Sequence, residues 1–147
     1  MQEILFICTG NTCRSPMAEA IANSIFVKNG MDFKAFSRGV NVIVPSRAAD
    51  NAIAAMNLLY HLDLDMHVAR QVKEDDINKA HKIIGMTKSH KNYLSMVYPE
   101  HKDKIFSLYG LAGKEAKDIK DPYGMDLFVY QACAEEINVV LREIFVK

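Results

Sequence analysis

The sequence predicts an α/β layer structure built around a parallel sheet. Two observations carry this: short apolar runs alternate with helical patterns along 147 residues, and the first run leads through a turn-rich loop straight into a helix-start signal. A third concerns function, because parallel sheets place ligands in loops at the carboxyl ends of their strands, near a topological switch point. No repeat, low-complexity tract or linker interrupts the pattern, so residues 1–147 read as one domain.

Glu3 to Cys8 (EILFIC) is nearly continuous in apolar residues, as expected of a strand buried on both faces. After the turn residues Thr9 to Thr12, Ser15-Pro16 signals a helix, with Ser as N-cap and Pro at the first helical position. Met17, Ile21 and Ile25 give that helix its apolar face, and Lys28-Asn29-Gly30 closes it. A second strand is expected over Phe33 to Val40 and a second helix over Ser46 to Met56. Glu74 to Lys79 reads as a short helix, Lys82 to Met86 as a third strand, Ser89 to Val97 as a helix and Lys104 to Leu108 as a fourth strand. The last helix runs from about Met125 to Phe145, with Leu127, Tyr130, Ala134, Ile137, Leu141 and Ile144 at three- and four-residue spacing.

Eighteen Lys and Arg balance eighteen Asp and Glu, so no broad electrostatic footprint for nucleic acid is expected and anion recognition must be local. No apolar run approaches the ~18 residues of a membrane span. The amino terminus lacks the basic n-region of a signal peptide. Three cysteines, an odd number, fit free thiols in a reducing compartment. A cytoplasmic protein with no membrane partner is expected.

The chemistry concentrates between Cys8 and Ser15 (CTGNTCRS). A strand-to-helix loop offers free backbone N–H groups and the positive end of a helix dipole. Five residues between Cys8 and Arg14 let Thr9, Gly10, Asn11, Thr12 and Cys13 curl into a cradle of amides for phosphate oxygens. Gly10 and Asn11 are the residues best able to take left-handed conformations there, and the Arg14 fork can grip two oxygens at once. A free thiol has a pKa near ~8.5, and such a field lowers it, so Cys8 is expected as a nucleophilic thiolate. Ser15 has two readings, helix cap or donor to the sulfur. A bare C-x5-R pair is weak, since cysteine is often just a small hydrophobe; the strand before it and the Ser-Pro after it give it its specificity. No Gly-Lys-Ser/Thr follows the glycine, so this is no Walker loop.

With Asp121-Pro122-Tyr123 late in the chain, Ser37-Arg38-Gly39 after the second strand, His67 in HVARQV, and Met86-Thr87 with His90 after the third, the sequence resembles the low-molecular-weight protein tyrosine phosphatase family over its whole length. The resemblance implies a three-layer fold, a four-stranded parallel sheet with helices on both faces. It also implies a cysteinyl-phosphate intermediate, no cofactor and a phosphorylated protein substrate. Asp121 matches the family's general acid, and a poor leaving group gives that role a chemical reason; alone, an Asp-Pro pair is most often a turn. Asn11, Ser15, Ser37 and His67 match the hydrogen-bond network that holds the loop. Tyr123 matches one aromatic wall of the substrate cleft, while the opposite wall falls at Ile43, which is not aromatic. No metal is expected, because neither His61 and His67 nor His81, His90 and His101 stand at ligand spacing with cysteines.

Thr12 bears on the substrate. Many tyrosine-specific relatives carry a larger aliphatic side chain there, whereas the protein-arginine phosphatases of the family carry threonine. A small polar residue leaves room for a flat guanidinium and offers it a hydroxyl; a role in loop packing is the alternative reading. Phosphoarginine is thus preferred over phosphotyrosine as the expected substrate. A strict tyrosine phosphatase, an arsenate reductase and a non-catalytic phosphoprotein-binding module are the rivals. Arsenate reduction needs a cysteine relay after the loop, and only Cys133 stands there. For Cys13 the resemblance implies a reversible disulfide with Cys8 that protects the nucleophile; the plain alternative is a packed side chain.

Overall fold

The structure is a computed structural model, and it describes residues 1–146. Four strands, β1 (Gln2–Cys8), β2 (Phe33–Gly39), β3 (Lys82–Gly85) and β4 (Ile105–Ser107), form one sheet in the order β2-β1-β3-β4. All three pairings are parallel. The helices are α1 (Arg14–Lys28), α2 (Asp50–Tyr60), α3 (Glu74–Lys79), α4 (Lys88–Val97), α5 (Leu108–Leu111) and α6 (Leu127–Phe145).

Strand β1 has a separate apolar core on each face, which is why its sequence is apolar at every position from Ile4 to Cys8. Ile4, Phe6 and Cys8 pack with Met17, Ile21 and Ile25 of α1, Ala52 and Met56 of α2, and Ile137 and Leu141 of α6. Leu5 and Ile7 face the other way, against Ile77 of α3, Leu94 of α4, Ile83 and Ile105. The period-2 alternation of a strand delivers both sets from one run. Phe26, Phe33 and Phe145 close the first core at its far end, with ring centroids 5.0 to 6.1 Å apart.

The chain leaves β1 toward β2 and later returns past β1 to form β3, so the crevice between the ends of β1 and β3 is a switch point. Register aligns the strand ends there: Cys8 lies opposite Gly39, Ile7 opposite Gly85, and Gly85 opposite Ser107.

Two sequence expectations need correction, and one element was not foreseen. Helix α1 begins at Arg14 with Cys13 as N-cap and no side-chain cap, so Ser15 is not the N-cap and Pro16 is the third helical residue. Proline is tolerated there because first-turn N–H groups have no helical partner. Helix α2 starts at Asp50, not Ser46. Its alanine-rich pattern extends upstream, but that stretch is strapped instead: Ala49 N–H donates to the Thr12 carbonyl at 3.0 Å, Ala69 N–H to the Ser46 carbonyl at 2.8 Å, and Arg47 bridges Val68. The stretch between α4 and β4 holds a 3₁₀ turn, Pro99–Lys104, that the apolar pattern did not signal. Among the described residues no helix is long and apolar enough to cross a membrane.

Candidate active site

Cys8 ends β1 at the floor of a cavity of about 330 Å³ lined by Cys8, Thr9, Gly10, Thr12, Cys13, Arg14, Asp121 and Tyr123. The loop curls over Asn11, whose φ of +57° puts it in the left-handed region. Gly10 does not share that conformation, so the left-handed step belongs to asparagine alone. That costs a non-glycine residue roughly 1–2 kcal/mol, and its side chain supplies the compensation. Asn11 Oδ1 accepts from Arg70 N–H at 3.0 Å, and Asn11 Nδ2 donates to Ser15 Oγ at 2.8 Å and to Ser37 Oγ at 3.0 Å. His67 Nε2 donates to the Asn11 carbonyl at 2.8 Å, which fixes its tautomer. The structure thus brings Asn11, Ser15, Ser37 and His67 into one network.

Glu19 belongs to the same network and was not foreseen from sequence. It accepts from Ser37 Oγ at 2.7 Å. Its position four residues after Ser15, one helical turn on, was the available signal.

Ser15 Oγ accepts from Asn11 Nδ2 and lies 2.9 Å from Cys8 Sγ, so a thiolate there takes the Ser15 hydrogen. Asn11 N–H also points at the sulfur, at 3.3 Å. A hydroxyl and a backbone N–H therefore converge on Cys8. The first turn of α1 carries no acidic residue, leaving the helix N-terminus free for an anion.

Arg14 is 6% exposed, and Nη1 donates to the Ile119 carbonyl at 2.9 Å. Ile119 N–H in turn donates to the Met86 carbonyl beyond β3 at 3.1 Å, so the guanidinium is braced against the sheet. Its Nη2 lies 3.6 Å from Asp121 Oδ2. Asp121 is half-exposed at the cavity mouth, and its Oδ1 accepts from Tyr123 N–H at 3.1 Å. Tyr123 stands beside it on the rim, largely exposed. Gly39 explains the close fit of β2: a Cβ there would lie 2.6 Å from the Thr9 carbonyl oxygen.

The cleft does not include Ile43. That side chain is 88% exposed and lines no part of the cavity. The reason is local: Asn41 N–H donates to the Thr9 carbonyl at 3.0 Å and Val42 N–H to Gln71 Oε1 at 2.7 Å, which turns the following residues outward.

All three cysteines are free and buried. Burial pushes the Cys13 thiol up, and its sulfur lies 3.3 Å from the Tyr130 hydroxyl. Cys133 sits within α6, pushed up to about 12 by burial first and Glu136 second. A second histidine reaches the loop: His90 Nε2 lies 3.0 Å from Thr9 Oγ1. Thr87 with His90 three residues later, at the start of a helix, was its sequence signal. Among the described residues every buried side-chain nitrogen and oxygen has a hydrogen-bond partner.

A family model described as low molecular weight phosphotyrosine protein phosphatase matches residues 3–147. The chain belongs to that family. It is similar to a protein-arginine-phosphatase of Bacillus subtilis, 32% identical over 97% of this chain and 93% of the relative. It is also 34% identical to the low molecular weight protein-tyrosine-phosphatase PtpB of Staphylococcus haemolyticus, over 96% of each. Among solved structures, a low molecular weight protein tyrosine phosphatase from T. tengcongensis matches with a TM-score of 0.93 and 40% identity over 97% of both chains. A mutant of the YwlE arginine phosphatase with a phosphorylated active-site serine matches with a TM-score of 0.91 and 32% identity, covering 97% of this chain and 92% of that one. The protein is a phosphatase of this low-molecular-weight class, and its cradle runs from Cys8 to Arg14.

Proposed function

We propose that Cys8, Arg14 and Asp121 hydrolyse a phosphorylated side chain of a protein substrate. The observation that carries this is the convergence at one cavity of a sulfur with two donors aimed at it, a braced guanidinium and a carboxyl at the mouth. The amides from Thr9 to Ser15 and the Arg14 fork bind the phosphoryl oxygens. The Cys8 thiolate attacks phosphorus, forming an S–P bond while the bond to the leaving nitrogen or oxygen breaks. The Asp121 carboxyl gives its proton to that leaving atom. The resulting carboxylate then takes a proton from water as the water oxygen attacks phosphorus; the S–P bond breaks, phosphate leaves and the thiolate returns. Ser15, with its hydrogen on the sulfur, stabilises the thiolate as it departs.

Phosphoarginine is the preferred substrate in this reading, and phosphotyrosine the second. Support comes from Thr12, which lines the cleft, and from the arginine phosphatases among the relatives. Ile43 lends none, since it stands outside the cleft. The test compares kcat/KM on a phosphoarginine and a phosphotyrosine peptide for the wild type and Thr12→Ile. The wild type is expected to favour phosphoarginine, with the preference falling at least tenfold on substitution. A phosphotyrosine preference that the substitution leaves unchanged would refute it.

Cys13 supports a redox role for the same loop. A peroxide oxidises the Cys8 thiolate to the sulfenic acid; the Cys13 thiol attacks that sulfur, a disulfide forms and water leaves. Peroxide inactivation reversed by added thiol, and made irreversible by Cys13→Ser, is the expected behaviour. Equal thiol recovery in wild type and Cys13→Ser would contradict it.

A further inference from the structure

We propose that the Thr9 side-chain hydroxyl donates a hydrogen bond to the phosphoryl group in the cradle, and that His90 is the positioning residue that aims it. The proposal rests on the phosphatase reading above. It concerns a side chain and a helix outside the cysteine–arginine–aspartate set.

The bonding around His90 supports a Thr9 proton that is free for the cavity. His90 is 6% exposed, and its ring bridges two threonines: Nδ1 is 2.9 Å from Thr87 Oγ1, and Nε2 is 3.0 Å from Thr9 Oγ1. Thr87 Oγ1 accepts the His90 backbone N–H at 3.2 Å as the cap of α4, and in the proposed arrangement its own hydrogen goes to Nδ1. The ring is neutral, held down to about 4 by burial first and by the Arg14 guanidinium second, against the opposing pull of Asp118 and Asp121. A neutral imidazole carries one N–H. With Nδ1 accepting, that N–H is on Nε2 and donates to Thr9 Oγ1. The Thr9 hydrogen is then turned away from the ring, and Thr9 lines the cavity over Cys8.

The arrangement is held from below. A Cβ on Gly85 would lie 2.8 Å from His90 Cβ and 3.0 Å from Lys91 N, so a glycine at the end of β3 is what lets α4 press this close. Lys88 N–H donates to Asp118 Oδ1 at 2.8 Å, tying the same helix start to the segment that leads to Asp121. A ring this constrained, reaching one side chain of the phosphate loop, is a device for fixing a hydroxyl. Its role parallels that of Asn11, which aims the Ser15 hydrogen at Cys8 from the other side of the loop.

The test uses Thr9→Val, Thr9→Ser, His90→Ala and the Thr9→Val/His90→Ala double variant, with Cys8→Ser as control. Two quantities are read: kcat and KM on p-nitrophenyl phosphate, and the competitive inhibition constant of inorganic phosphate. Thr9→Val is expected to weaken phosphate inhibition and kcat/KM by about tenfold, the scale of one hydrogen bond to a charged group, while Thr9→Ser recovers most of the loss. His90→Ala is expected to act in the wild-type background and to add nothing once Thr9 is valine. Phosphate inhibition within twofold of wild type in Thr9→Val, or a His90→Ala loss that is equal in both backgrounds, would overturn the inference. If His90→Ala does not fold, the Thr9→Val and Thr9→Ser pair still decides. Wild-type turnover that survives in Cys8→Ser would instead sink the parent reading and this inference with it.

Discussion

Asn11 carries more of the site than any other single residue. It takes the left-handed turn, receives Arg70 and His67 on its two oxygens, and uses its amide to orient Ser15 and Ser37. Asn11→Ala would keep the strained φ and leave buried donors and acceptors without partners, each costing about 1–3 kcal/mol. We expect it to lower both Tm and kcat, while Ser15→Ala lowers kcat and leaves KM nearly unchanged; steady-state kinetics beside thermal melts separates the two. Equal KM and kcat effects in Ser15→Ala would speak against a role confined to the sulfur. At this scale the sequence was informative about residue types but not about which did what. Gly10 and Asn11 both permit a left-handed step, and only tertiary partners on the segments around His67 and Arg70 select Asn11. Ser15 before proline satisfies every local rule for a cap, yet a buried sulfur and an amide claim its hydroxyl. Ile43 fails for a similar reason, since counting along a loop does not say which way the loop turns.

Helices and strands meet the loop through close contacts that need glycine. Gly39→Ala would set a methyl 2.6 Å from the Thr9 carbonyl and from Val42 Cγ2, and 3.1 Å from Asn11 Cβ. Overpacking of this kind costs about 1–3 kcal/mol, and because backbone of the phosphate loop must yield, activity is expected to fall by more than stability alone explains. Wild-type kcat in Gly39→Ala would show that the loop tolerates the shift. Helix α4 adds a pH effect. The buried His90 is neutral down to about 4, whereas an exposed histidine protonates near about 6.5. Between those values the unfolded chain binds the extra proton and the folded one does not, so stability falls as pH drops through that window. Urea unfolding from pH 7 to 4 should show a steeper decline in wild type than in His90→Gln; parallel slopes would argue against a buried neutral ring. Element order, sheet class and most boundaries were legible because apolar period and turn residues agree along this chain. The start of α2 was not, since Ala49 and Ser46 are held by bonds to the phosphate loop and the segment around Ala69 that no local pattern encodes.

Across the whole molecule, two cores divided by β1 bear the stability and the crevice above them bears the chemistry. The far end, where Phe26, Phe33 and Phe145 meet, lies at the opposite end of the strands from the site. Phe26→Ala is expected to cost about 3–5 kcal/mol with kcat little changed at a temperature where the variant stays folded. A large kcat loss in the folded variant would mean the two ends are coupled. The central claim is that phosphorus passes through Cys8. It is tested most directly by quenching Asp121→Ala during turnover of p-nitrophenyl phosphate, whose leaving group departs without a proton from Asp121, and locating the phosphoryl group by mass spectrometry. In the proposed mechanism Asp121 activates the water that clears the intermediate, so the account predicts phosphate accumulating on Cys8, absent in Cys8→Ser. Turnover with no phosphoryl group on Cys8, or with one on another residue, would contradict it.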